Sequence, residues 1–145
     1  MSQEWIECTI KYSKLMDNGK DKKVSELYLV NSLSFTEAES KITEEMKHFI
    51  SGEFTVKALK ATKYSELFSS GEEGADRWFK CKLMFITLDE KSGAEKRTST
   101  LVLVQAADLR DAVKKLDEGM KSTICDYEIG SISDTKIIDV YPYNG

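Results

Sequence analysis

Hydrophobic and polar residues alternate along the opening of the chain. Ile6, Cys8, Ile10 and Tyr12 are separated by Glu7, Thr9 and Lys11, the period of two that marks a strand with one dry face and one wet face. The same pattern returns later, with Phe79, Cys81, Leu83 and Phe85 on the dry side and Lys80 and Lys82 on the wet side. Each run leads to a tight-turn signal, Asp17-Asn18-Gly19 in one case and Ser92-Gly93 in the other, where glycine supplies the left-handed backbone of a hairpin. The returning segments, Glu26 to Val30 and Thr100 to Val104, are β-branched and apolar, which predicts central strands.

The period then changes to that of a helix. Phe35, Ala38, Ile42, Met46 and Phe49 fall on one stripe, as do Leu109, Ala112, Leu116, Met120 and Ile124, with Glu and Lys between them. Ser34-Phe35-Thr36-Glu37 reads as a capping box, and Asp108-Leu109-Arg110-Asp111 as its acidic counterpart. Ser51-Gly52 is the expected stop of the first helix, since glycine takes the left-handed position after a helix end. The second is expected to end near Cys125-Asp126. After each helix the chain turns extended again, through Phe54 to Leu59 and Tyr64 to Phe68, then Tyr127 to Ile132 and Ile137 to Tyr141. This reads either as two strands or as one long, bent or bulged strand. Pro142 lacks an amide donor, so regular pairing is expected to end there.

The chain therefore states one plan twice. Trp5 and Cys8 return as Trp78 and Cys81, Leu27 and Val30 as Leu101 and Val104, Ala38 and Met46 as Ala112 and Met120. The expected fold is α+β: two tandem ββαβ(β) repeats related by pseudo-twofold symmetry, with two helices packed on antiparallel sheet. Repeat 1 is expected over about 4–68, a polar, glycine-bearing linker over about 69–76 and repeat 2 over about 77–143, within a single domain of 1–145.

Composition narrows the classes. With 145 residues, 41% hydrophobic and 32% charged, the chain has enough apolar material for a core. A net charge of −4 and a pI near 5.2 oppose broad electrostatic attachment to nucleic acid or anionic lipid. No apolar run approaches a bilayer span, and Met1-Ser2-Gln3-Glu4 lacks the basic and apolar regions of a signal peptide, so no membrane association and a cytoplasmic location are expected. Three cysteines without a CxxC pair suit reduced thiols.

Several blocks taken together, Leu33-Ser34-Phe35-Thr36-Glu37-Ala38-Glu39, Ile50-Ser51-Gly52-Glu53-Phe54-Thr55-Val56, Ala75-Asp76-Arg77-Trp78-Phe79-Lys80 and Asp139-Val140-Tyr141-Pro142-Tyr143, resemble a domain-of-unknown-function family of small proteins. That family is encoded by gut Bacteroidetes, their mobile elements and their phages. The resemblance spans nearly the whole chain and implies no activity, cofactor or catalytic residue.

Candidate chemistry is sparse. His48, the lone histidine, sits at the end of the first helix, where an imidazolium suits the dipole and no triad partner is evident. Cys8 and Cys81 face inward at matching positions and read as small hydrophobes, because a zinc site wants four ligands and only His48 and Cys125 remain to add. Glu44-Glu45 and Asp117-Glu118 sit among lysines on solvated helix faces, and Gly71-Glu72-Glu73-Gly74 has neither the spacing nor the charge of a phosphate loop. No cofactor, metal or catalytic residue is expected.

The expected function is a non-enzymatic binding or adaptor module with a protein partner, and a homodimer is open because sheet edges are left uncovered. Trp5 and Trp78 are its candidate anchors, against the plainer reading that they cover the core edge. A single-stranded nucleic acid is the alternative partner, served by Lys57, Lys60, Lys63 and Tyr64, with Lys80 and Lys82 beside Trp78. In rotated order the chain is also similar to the strand-strand-strand-strand-helix arrangement of single-strand-binding whirly proteins. Solvent-facing lysines that discourage edge aggregation account for the same residues. An enzyme of unrecognised class is the third reading. Symmetry discounts residues with a structural twin, so the differences between twins, Lys57 against Gly130, Lys60 against Ser133 and His48 against Ser122, mark where a partner is first sought.

Overall fold

The computed structural model describes residues 2–123 and 126–143. Its elements follow the order β1 (Glu4–Leu15), β2 (Asp21–Ser32), α1 (Phe35–Lys47), β3 (Phe54–Ala61), β4 (Tyr64–Phe68), β5 (Arg77–Leu88), β6 (Glu95–Ala106), α2 (Leu109–Gly119), β7 (Asp126–Asp134) and β8 (Ile137–Tyr141). The fold is α+β. The expected hairpins form, β1 with β2 and β5 with β6, and their turns close on Gly19 at φ +80° and Gly93 at φ +70°.

The strands divide between two four-stranded sheets, ordered β3-β1-β2-β8 and β4-β6-β5-β7. The segment after each helix is thus two strands, and the two strands join different sheets. Both sheets are mixed, in contrast to the antiparallel sheet expected: β8 runs parallel to β2, and β4 parallel to β6. β4, which follows the first hairpin and α1, pairs in the sheet of the second hairpin, and β8, which follows the second hairpin and α2, pairs in the sheet of the first. Two compact units result, one of Met1–Thr62 with Lys136–Gly145, the other of Lys63–Thr135. The segment 69–76, read as a linker, lies inside the second unit. The Ser70 amide donates to Gln105 Oε1 at 2.9 Å, and Lys115 Nζ reaches Ser70 Oγ and Glu72 Oε2 at 3.0 Å each.

In the first unit, Ile6, Cys8, Ile10, Tyr28 and Val30 pack against Ala38, Ile42 and Met46 of α1. In the second, Cys81, Leu83, Val102 and Val104 pack against Leu116 and Met120, with Phe79, Ala106 and Ala112 beside them. Each large buried side chain contributes roughly 1.5–3 kcal/mol, which accounts for the helices lying where their stripes dictate. The helix starts also form as expected: Ser34 Oγ accepts from the Glu37 amide at 3.1 Å, and Asp108 Oδ1 from the Asp111 amide at 2.8 Å.

The helix ends differ from expectation. α1 stops at Lys47 with His48 as its cap, and Gly52 is not among the positive-φ glycines. Phe35, Phe49 and Leu109, placed on the buried stripes by periodicity, are exposed: Phe35 and Leu109 are the first residues of their helices, and Phe49 lies beyond the end of α1. α2 ends at Gly119, well before Cys125-Asp126. A Cβ on Gly119 would lie 2.8 Å from the Phe68 ring, so any larger residue there would have to push that ring aside. Ile124 and Cys125 lie outside the described residues.

Candidate functional site

The residues singled out from sequence are distributed over both units. Trp78, on β5, is 4% exposed, so its ring belongs to the interior and is not offered to a partner. Trp5, on β1, is half-buried. Their main chains do matching work: the Trp5 carbonyl accepts from the Thr62 amide (2.9 Å) and hydroxyl (2.7 Å), and the Trp78 carbonyl from the Thr135 amide (3.0 Å) and hydroxyl (2.7 Å). These bonds hold the chain where β3 gives way to β4, and β7 to β8.

Lys57 and Lys60 are exposed on β3 in the first unit. Lys57 falls in a register shift and has no cross-strand partner, while Lys60 stands opposite Glu7, a favourable pair of charges. Lys63 and Tyr64 belong to the second unit. There Lys63 shares a hollow of about 320 Å³ with Lys82, Ser99 and Thr100, and Tyr64 is half-buried at the start of β4.

The remaining candidates sit at a helix cap and in the two cores. His48 donates its amide to the Glu45 carbonyl at 3.2 Å as the cap of α1. Cys8 and Cys81 lie fully buried in separate cores, and each Sγ faces the carbonyl two residues back. Burial, with Glu7 adding to it, pushes the Cys8 thiol up to about 12, and burial pushes Cys81 up to about 11. Both stay thiols, the unreactive form. Among the described residues no group of three or more His, Cys, Asp or Glu side chains is placed to hold a metal ion, and no helix is long and apolar enough to cross a membrane.

A groove that sequence reading did not anticipate lies in the first unit, where β1, β2 and β8 pass the C-terminal end of α1. Tyr12, Tyr28, Tyr141 and Phe49 supply four rings, Glu26 and Asp139 two carboxylates, and Ile50 and Ile138 the aliphatic remainder, around a volume of about 200 Å³. Alternation brings Tyr12, Glu26 and Tyr28 to the helix side of the sheet, with Ile10 facing Glu26 and Tyr28 facing Asp139 across the ladder. A register shift between β2 and β8 leaves Ile138 unpaired at the rim, the way bulges re-aim side chains beside sites. Phe49 is carried there because α1 ends just before it.

The groove is electrostatically coherent. The Tyr28 hydroxyl donates to Glu26 Oε1 at 3.2 Å, and the Tyr28 and Tyr141 rings stack with centroids 6.1 Å apart at 28°. Burial, then the neighbouring Glu26, raises the Tyr28 phenol above its ordinary range, and the same two causes raise Tyr12. Burial, then Asp139 and Glu45, pushes Tyr141 up to about 12. The three rings are neutral phenols at any ordinary pH, and none of the lining residues is basic. A wider hollow of about 620 Å³ runs along α1 past Glu37, Lys41 and Tyr143, but its walls are hydroxyl and charged side chains of an exposed helix flank.

One signal in the sequence marks the groove. At the positions matching Tyr12, Glu26, Tyr28 and Tyr141 the second unit carries Phe85, Thr100, Val102 and Phe68, so at these positions phenols and a carboxylate appear in the first unit alone.

Comparison with curated proteins and with solved structures finds no match to this chain. A family model described as Domain of unknown function (DUF4494) matches residues 4–143, and the chain belongs to that family.

Proposed function

We propose that the protein is a non-enzymatic binding module that docks a segment of another protein on the aromatic groove of its first unit. The observation that carries this reading is the pair of exposed apolar side chains, Phe49 at 69% and Ile138 at 47%, at the rim of a groove lined by three tyrosines. Aromatic side chains with a polar tip are the residues over which partner binding energy concentrates. The volume, about 200 Å³, is below the roughly 300–1,000 Å³ of small-molecule sites and suits single side chains of a larger partner. Phenols raised by burial and carboxylate neighbours are poor general bases, which favours recognition over catalysis. The resemblance to phage and mobile-element proteins of gut Bacteroidetes directs the search to phage and host proteins in a cytoplasmic setting.

Single-stranded nucleic acid remains a second reading, favoured by Lys63 and Lys82 sharing one hollow with Ser99 and Thr100. A photo-crosslinking residue placed at position 49, at position 63 or on the exposed hairpin at position 22 separates the two. Docking on the groove predicts one protein captured from position 49 and not from position 22. A nucleic-acid adduct from position 63, with nothing specific from position 49, would reverse the order of the two readings.

A further inference from the structure

We infer that the groove takes a cationic side chain, an arginine or lysine presented by a basic segment of the partner, with its charge between the tyrosine faces and the carboxylates of Glu26 and Asp139. The inference rests on the docking reading and names its chemistry.

Charge complementarity carries it. A ring face is the negative side of an aromatic quadrupole and attracts a cation within about 6 Å of its centroid, most strongly where water is excluded. Here the rings stand beside two carboxylates with no basic residue in the lining. The C-terminal end of α1, which arrives beside Phe49, adds the partial negative charge of the helix dipole. Lys47, the last residue of that helix, is engaged 3.0 Å from Glu44 on the exposed flank. An acidic segment would meet two carboxylates, and a nucleic-acid backbone would meet the same repulsion.

The site is also held in advance. The Tyr28 hydroxyl fixes Glu26 through one oxygen, and a carboxylate has further acceptor capacity left for a guanidinium or ammonium. Tyr28 is in turn fixed by its stack on Tyr141. Ordering these groups before binding lowers the cost of capture. The second unit supplies the contrast, since Val102 and Thr100 at the matching positions offer neither ring nor charge.

The test is nuclear magnetic resonance titration of the whole chain with three probes of similar size: n-butylammonium, n-butylguanidinium and 1-pentanol. The two cations are expected to shift the Tyr12, Glu26, Tyr28 and Tyr141 amides saturably, at concentrations at least about fivefold below those needed with the alcohol. Glu26→Gln should weaken the cation response about fivefold and leave the alcohol response unchanged. Equal responses to alcohol and cations, or no response to any probe, overturn cation recognition. Because crosslinking from position 49 is scored separately, a groove that captures its protein partner yet ignores the cations defeats this inference and leaves the docking reading standing.

Discussion

Asn31 and Gln105 stand at matching register positions, opposite Trp5 and Trp78, and their side-chain carbonyls have opposite fates. Gln105 Oε1 accepts from the Ser70 amide at 2.9 Å, whereas Asn31 Oδ1 is buried with no partner among the described residues. The cost of removing an acceptor depends on what it leaves behind. Gln105→Ala strands a main-chain amide and unpins the segment after β4, and should lose about 1–2 kcal/mol, the usual penalty of an unsatisfied donor. Asn31→Ala removes an oxygen that already lacks a donor, and should stay within about 0.5 kcal/mol of the parent or gain slightly. Urea denaturation of both variants decides it, and equal losses would mean that the two carbonyls are used alike.

The elements show which features local chemistry specifies. Both helix starts and both hairpin turns are legible because a cap or a left-handed glycine acts within four residues. The ends are not: α2 ends at Gly119, where a Cβ would lie 2.8 Å from the Phe68 ring of β4, a contact between residues far apart in the chain. The start of α2 has a pH signature of its own. The Ala107 amide bonded to Asp111 Oδ2 at 2.9 Å holds that carboxyl below its usual range, and Lys115 at 3.4 Å adds to the effect. A depressed folded value means that the ionised form favours folding. The contribution is therefore present above the ordinary aspartate pKa of about 3.9 and is lost as pH falls through that value toward the lower folded one. Asp111→Asn should lower the melting temperature at neutral pH and show a shallower decline on acidification, with the two proteins converging once the carboxyl is protonated. Parallel curves over the whole range would remove Asp111 as the source.

At the scale of the whole chain, duplication in the sequence made the strands and helices legible, and their partners were not. Ile137 to Tyr141 reads as a strand from its own residues, but nothing local says that it joins β2, because strand choice is made by surfaces far away in sequence. The groove was hidden for the same reason. Tyr12, Tyr28 and Asp139 look like unrelated positions until β8 crosses to the first unit and brings Tyr141 onto Tyr28. The strand thus completes both sheet and groove, which makes its removal diagnostic. A chain ending after Thr135 lacks the partner of Leu27 to Val30, so the β2 amides bonded to β8 should exchange with deuterium at least about tenfold faster. Crosslinking from position 49 should fall with them, since Tyr141 and Asp139 leave with the strand. A separate peptide spanning 136–143, added back, should slow β2 exchange and restore the crosslink in parallel, by adding a strand to an open edge. Slowed exchange without the crosslink would show that β8 completes the sheet but that the partner does not depend on its side chains.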